Sequence, residues 1–257
     1  GTFDGQGHTI SNFVAGGGNR GLFSHIAKNG VVKNIIFKNV YLPGTSGLVA
    51  TQNDGLVENI TEKWNLVDWP QNLRDGYDFE ITQPIGPGVH NVINALWYGC
   101  KLAMEEIAQI LGDNQDFGAE ITKTGFIRAF YREDLGLFTD APGTDHTAVH
   151  SNIFPLLFGI AQEQAQKERL IAFIREKKLT SMGVYMAYFA LAALKREGRM
   201  DICRELATDE GAWLNMLKEG ATTTFEAWGK DQKWNTSLFH PWATAPLIIF
   251  ADHVRVY

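Results

Sequence analysis

From about residue 90 onward the apolar residues of this chain recur at helical spacing, and before about residue 61 they do not. In HNVINALWYGCKLAMEEIAQILGDN, the positions Ile93, Leu96, Cys100, Ala103, Met104, Ile107, Ile110 and Leu111 follow i, i+3, i+4 spacing, and Gly112 ends the run. That pattern predicts a long helix with one buried stripe. Further helices are predicted near 121–132, 149–160, 163–177, 181–197, 200–207 and 212–219, closed by Gly159, Gly198 and Gly220. Ser181 stands where an N-cap belongs before MGVYMAYFALAALK. The last element, PWATAPLIIFADHV, is apolar nearly all round and is predicted to be buried. Helices joined by short loops pack as a bundle or close into a ring of hairpins, leaving the loops of one rim free to build a site.

Residues 1–61 obey a different grammar, rich in Gly, Asn and β-branched residues. TISNF, VVKNI and LVENI align on Asn12, Asn34 and Asn59, and RGLFSHI aligns with SGLVATQ. A period in the low twenties is the scale of one solenoid coil, with Val, Ile and Leu pointing inward and the aligned asparagines able to stack as an amide ladder. A small antiparallel sheet with Gly-rich hairpins is the competing reading. The expected division is therefore 1–61, β-rich and repetitive, and 62–257, helical.

The acidic balance, a net charge of -6, argues against nucleic acid, which requires clustered Lys and Arg. The longest apolar run, SMGVYMAYFALAAL, is too short and too polar for a membrane span. Cys100 and Cys203 lie in helical, apolar contexts and read as two reduced core thiols. No CxxC or Cys/His grouping offers a zinc site. His146 and His150 are spaced i, i+4 as a metal pair would be, but His150 before SNIF reads better as a loop support, so neither metal nor cofactor is expected. No leader peptide is visible, and the chain begins at Gly1.

Two loops carry chemistry. LVDWPQNLRDGYD packs Asp68, Asp75 and Asp78 with Arg74, Trp69 and Tyr77 between Pro and Gly. ATTTFEAWGKDQKWNTSLFHPW sets Glu226 between Phe225 and Trp228, followed by His240 and Trp242. Separated carboxyls among flat aromatic rings suit hydrolysis of a glycosidic bond: one protonates the leaving oxygen, and the other activates water or attacks the sugar. Rings stack on sugar C–H faces and raise the pKa of a carboxyl held against them. The plainer readings are solvated loop acids, a first-turn helix charge at Glu226, an extended strand at 222–224, and core roles for Trp64, Trp97 and Trp213.

Six stretches, TEKWNLVDWPQNLRDGYDF, HNVINALWYG, GLFTDAPGTDHTAVHSNIFPLLFGI, SMGVYMAYFALAAL, GAWLNMLKEGATTTFEAWG and NTSLFHPWATAP, resemble in order the catalytic domain of bacterial α-L-rhamnosidases. The opening GTFDGQGHTISNF resembles GLUG-type repeats of bacterial surface proteins, which implies a parallel β-helix. The first resemblance implies a mainly α fold, a partial or complete (α/α)6 six-hairpin toroid, with the β-solenoid-like segment before it. It implies an inverting glycosidase that removes terminal α-L-rhamnose, with Glu226 in TTTFEAW as general base. The family's general acid often stands about five residues after the Asp that Asp68 matches; Leu73 occupies that place here, and Asp75 is the nearest proton donor in the loop. Asp68, Arg74 and Asp78 resemble residues that hold sugar hydroxyls, His240 matches a family histidine near the base, and Trp69, Tyr77, Trp228 and Trp242 are expected to wall the pocket. Because Arg74 would depress the pKa of Asp75, it is expected to face Asp68, Asp78 or substrate.

The implied partner is a rhamnose-containing glycoside or polysaccharide, and a bacterial secreted or periplasmic setting is favoured over the cytoplasm. A ring of six hairpins needs about twelve helices, of which roughly eight can be placed after residue 61. An open ring would expose apolar faces, so a second copy of the chain, the N-terminal segment or further helices are expected to cover it. A non-catalytic carbohydrate-binding surface protein and a hydrolase of the same fold acting on another sugar, such as an uronide, are the alternatives.

Overall fold

A computed structural model describes residues 1–13, 21–38, 49–53, 56–61, 67–68, 71–77 and 89–251, with backbone alone at 51–61 and 71. Six short strands come first: β1 (Thr2–Asp4), β2 (Thr9–Ser11), β3 (Phe23–Ile26), β4 (Val31–Lys38), β5 (Ala50–Asn53) and β6 (Leu56–Thr61). β1 and β2 lie end to end along one edge of β4, and β6 lies along the other, so that Thr2, Val31 and Leu56 share a rung. β3 pairs with β5. All these pairings are parallel. Parallel neighbours need crossovers rather than tight turns, which overturns the antiparallel-hairpin alternative among the described residues. Ile26, Val32, Ile35 and Phe37 are buried beneath the sheet with Ile10, Phe13, Leu22 and Phe23 packed on them. The aligned Asn12 and Asn34 share a left-handed backbone, with φ of 57° and 56°, a conformation asparagine tolerates better than most residues. The Asn34 amide donates to Asp4 Oδ1 at 2.9 Å. The side chain of the third aligned asparagine, Asn59, lies outside the described residues.

The rest is helical: α1 (Asn91–Ile110), α2 (Ala119–Phe130), a two-residue hairpin of β7 (Tyr131–Arg132) with β8 (Leu137–Phe138), α3 (His150–Leu157), α4 (Gln164–Lys177), α5 (Val184–Arg196), α6 (Met200–Ala207), α7 (Trp213–Lys218) and α8 (Ala245–Phe250). Gly112, Gly159, Gly198 and Gly220 follow helix ends with φ between 72° and 82°, the left-handed stop that only glycine takes without strain. The core is centred on α3 and α5, which pack together. Every residue from His150 to Leu156 is buried, and α5 contributes Val184, Met186, Ala187, Ala190, Leu191, Ala193 and Leu194.

Four expectations are corrected. The apolar stripe of α1 faces outward: Ile93, Leu96, Trp97, Met104, Ile107, Ile110 and Leu111 are exposed, the last two by 76% and 77%. The inward face is instead Val92, Ala95, Tyr98 and Ala108, with Gly99 set against Phe158. A Cβ on Gly99 would fall 2.7 Å from that ring, so α1 docks most closely at this glycine, while its bulkiest apolar side chains face out. Cys100, on the same helix, is exposed, whereas Cys203 is buried and its thiol is pushed up to about 11 by burial. In α8 only Ala245 and Ile249 are buried, while Leu247 and Ile248 face out. Ser181 caps no helix; it closes a 3-10 turn by donating to the Lys178 carbonyl, and α5 starts after Gly183.

Candidate active site

The loop before α1 is built around a tight turn. Asp75 and Gly76 have φ of 46° and 75°, and Tyr77 N closes the turn on the Arg74 carbonyl at 2.8 Å. Two consecutive left-handed residues reverse the chain sharply and throw the Asp75 side chain outward. Its Oδ1 accepts Lys177 Nζ at 2.9 Å, and its Oδ2 accepts Val149 N at 2.8 Å. The cation on Asp75 thus comes from the end of α4, a partner that sequence spacing cannot reveal. Gly76 has no room for a side chain, because a Cβ there would lie 2.8 Å from His146 Nε2.

Beneath this turn the polar residues are sealed. Asp68 Oδ2 accepts His150 Nε2 at 2.8 Å and Gly183 N at 2.7 Å, and the Asp68 and His150 side chains both have 0% exposure. Arg74 Nε donates to the Asp68 carbonyl at 3.0 Å, a partner on the residue expected for it. Tyr77 is buried between His90 and His150; burial first, and then the Asp140 charge, push its phenol up. Asp68, Arg74 and Tyr77, expected to line the pocket, are buried beneath the turn and hold it through these bonds. Trp69 and Asp78 lie outside the described residues.

His146 turns away from His150. Its Nδ1 meets Asp140 Oδ2 at 2.5 Å, while Asp140 Oδ1 also accepts Ala148 N and Ser151 Oγ. The two histidines serve different carboxylates. The Asp140 hydrogen bond raises the His146 pKa; burial opposes it, the Asp140 and Asp75 charges add to it, and Lys177 subtracts. A raised folded-state pKa contributes stability that is complete below the ordinary imidazole value of 6.5 and is lost as pH rises through the folded value. Wild-type protein is therefore expected to melt at most about 2–4 °C above His146→Gln at pH 5.5, with the two curves converging in alkali. Melting temperature against pH checks it.

The second loop doubles back on itself. Glu226 N donates to the Ser237 carbonyl at 2.8 Å and His240 N to the Thr224 carbonyl at 2.8 Å, which pairs the Thr-rich run with 237–240 as an extended ribbon. Glu226 Oε2 accepts Lys233 Nζ at 2.6 Å and Ser237 N at 3.0 Å. Burial works against the charge on Glu226, but the Lys233 and Ser237 hydrogen bonds and the Lys233 and His240 charges prevail, holding the carboxyl below its ordinary value. Burial likewise lowers the His240 imidazole, against the pull of Glu226. The His240 ring lies 4.4 Å from that of Trp242, which lies 5.3 Å from Tyr185 at the start of α5. Trp242 and Tyr185 are 49% and 44% exposed and form an open aromatic face beside Glu226 and His240. Trp228 is not part of that face. It is buried edge-on to Trp213, and its Nε1 donates to the Met182 carbonyl at 2.7 Å.

Met182 joins the two loops. On one side it bridges to Arg74, and on the other its carbonyl holds Trp228. Both acidic loops thus flank the start of α5, Asp75 from the first and Glu226 from the second. Lys177, Lys233 and Tyr185 complete the arrangement; no acidic or aromatic motif marked them in the sequence. Tyr185 was hidden in a run that reads as core, although its position at the exposed start of α5 could have signalled it.

The sequence pattern described as the bacterial alpha-L-rhamnosidase six-hairpin glycosidase domain matches residues 44–254. Among solved structures, the chain resembles a GH78 family rhamnosidase of Bacillus sp. GL1, with 17% identity, a TM-score of 0.58, and coverage of 74% of this chain and 21% of that one. It also resembles a rhamnosidase from Klebsiella oxytoca with rhamnose bound, at 16% identity and TM-score 0.56, covering 70% of this chain and 37% of that one. A third is the native α-L-rhamnosidase of Aspergillus terreus, at 17% identity and TM-score 0.51, covering 75% and 24%. The chain spans between about a fifth and just over a third of the length of these proteins. No curated protein matches it.

Proposed function

The chain belongs to the bacterial α-L-rhamnosidase six-hairpin glycosidase family, and on that premise we propose that it removes terminal α-L-rhamnose from a glycoside or polysaccharide by inversion. The carrying observation is Glu226, an ionised carboxylate beside an open aromatic face, with one oxygen tied down by Lys233 and Ser237. Such a group can take the proton of an attacking water. Tyr185 and Trp242 offer the flat apolar surface that the C–H face and 5-methyl group of a rhamnoside need, and His240 offers a hydrogen-bonding edge.

Asp75 is the proposed proton donor, since Asp68 is sealed in the core and Asp75 is 14% exposed. Lys177 Nζ occupies Asp75 Oδ1 at 2.9 Å, so proton donation from that oxygen requires substrate to displace the lysine side chain, which is 32% exposed. Inversion further requires the two carboxyls to stand roughly 6.5–9.5 Å apart around the water. The same reading keeps two units, 1–61 as a repeat of parallel strands and 62–257 as the glycosidase-like unit. It also assigns the outward stripe of α1 to a covering layer, a second copy or further helices, because each large apolar side chain left in water forgoes about 1.5–3 kcal/mol.

A panel of aryl glycosides followed by proton NMR tests the proposal. Turnover of the α-L-rhamnoside, with β-rhamnose as first product, is the expected result. Retention of configuration would remove the water-activating role of Glu226. Preference for an uronide would replace the sugar. Sugar binding without turnover of any glycoside would leave a carbohydrate-binding module.

A further inference from the structure

The Glu226 carboxylate is held asymmetrically. Oε2 takes both the Lys233 ammonium and the Ser237 amide, and among the described residues no donor reaches Oε1. The lysine arrives on a constructed turn: Trp228 N donates to Gln232 Oε1 at 2.7 Å, Lys233 N to Thr236 Oγ1 at 3.3 Å, and Thr236 Oγ1 back to the Lys233 carbonyl at 3.0 Å. Its side chain is only 9% exposed, against 15% for Glu226, so the pair is shielded from salt and water as a surface bridge is not. We infer that Lys233 is a positioning residue for Glu226, locking Oε2 so that Oε1 alone faces the water.

This inference rests on the glycoside-hydrolase reading and adds to it a residue beyond the carboxylates, histidine and aromatic rings of the second loop. A carboxylate free to rotate would present either oxygen and would protonate in the ordinary carboxylate range. One clamped by a cation and an amide presents a single lone pair in a fixed direction, which is the preorganisation that general-base catalysis exploits. Two titratable or charged groups act on Glu226, Lys233 and His240. Burial lowers the His240 imidazole, while the Lys233 ammonium is hydrogen-bonded to Oε2 at 2.6 Å.

The test is kcat against pH for wild type, Lys233→Met and Lys233→Arg, using the aryl glycoside that wild type turns over. Loss of the ammonium raises the Glu226 pKa, so the acid limb of Lys233→Met is expected to move up by about one pH unit or more, while Lys233→Arg stays near wild type. In parallel, the carboxyl carbon of 13C-labelled Glu226 is titrated by NMR, which needs no turnover. It is expected to titrate below other glutamates in wild type and among them in Lys233→Met. Should the Met variant fail to fold by circular dichroism, Lys233→Gln, which retains a donor without charge, takes its place. An unmoved acid limb in an active protein, or an unmoved carboxyl titration, overturns the role of Lys233. A wild type inactive on every glycoside overturns the hydrolase reading, and the carboxyl titration still decides whether Lys233 governs Glu226.

Discussion

Glu226→Gln is expected to lower kcat by about 10²- to 10⁴-fold, the usual contribution of a positioned general base, with little change in KM. Gln keeps the length and one carbonyl oxygen of Glu, so the Ser237 amide retains an acceptor and the ribbon between 223–226 and 237–240 keeps its backbone bonds. What disappears is the charge. Lys233, 9% exposed, then faces an amide rather than a carboxylate, and some stability is lost with the pair. The kinetic loss therefore has to be read beside a melting curve. Azide separates the two causes, because an anionic nucleophile needs no proton removed and is expected to restore turnover in Glu226→Gln but not in Asp75→Asn. Stopped assays with and without azide, normalised to folded protein, check this. Full activity in Glu226→Gln would take the residue out of the reaction.

The helices were legible to within a few residues because glycine stops and helical spacing act locally: α1, α4, α5 and α6 stand where the apolar periodicity places them. Which face of a helix turns inward was not legible. Periodicity finds the bulkiest stripe, but docking of α1 on α3 is decided by Gly99 opposite Phe158, a question of fit between two helices far apart in sequence. The same limit explains Ser181. A serine before an apolar run satisfies the local rule for a cap, yet the amide at the start of α5 is taken by Asp68, and no local pattern can foresee a carboxylate from the other loop.

In the site, Glu226, His240 and Trp242 were legible as a group because one short ribbon brings them together. Trp228, read as a pocket wall, is close to Glu226 in sequence, but the chain bends at 226–229 and carries the indole into the core, against Trp213 and the Met182 carbonyl. Lys177 and Lys233 escaped notice because an isolated lysine in a polar segment is usually solvated, and only the fold shows that each ends on a carboxylate.

Asp68→Ala is expected to be the most destabilising single change in the acidic loop, costing about 3–5 kcal/mol, because it leaves two buried donors unpaired at about 1–3 kcal/mol each. Asp68 Oδ2 serves two donors that have no access to water, His150 Nε2 in α3 and Gly183 N at the start of α5. Without it, both are orphaned in the core. His150 has no slack to compensate, because its Nδ1 is already buried without a partner among the described residues. Asp68→Asn retains an acceptor for one of the two and is expected to cost about 1–3 kcal/mol. With about 2–4 °C per kcal/mol for a chain of this size, the Ala variant should melt on the order of 10 °C below wild type. The contrast is with a sugar ligand, whose loss raises KM and leaves the melting temperature alone. Calorimetry of both variants decides between the two. An unchanged melting temperature in Asp68→Ala would mean that Asp68 faces substrate, and that α3 and α5 are held together at their starts by something other than this carboxylate.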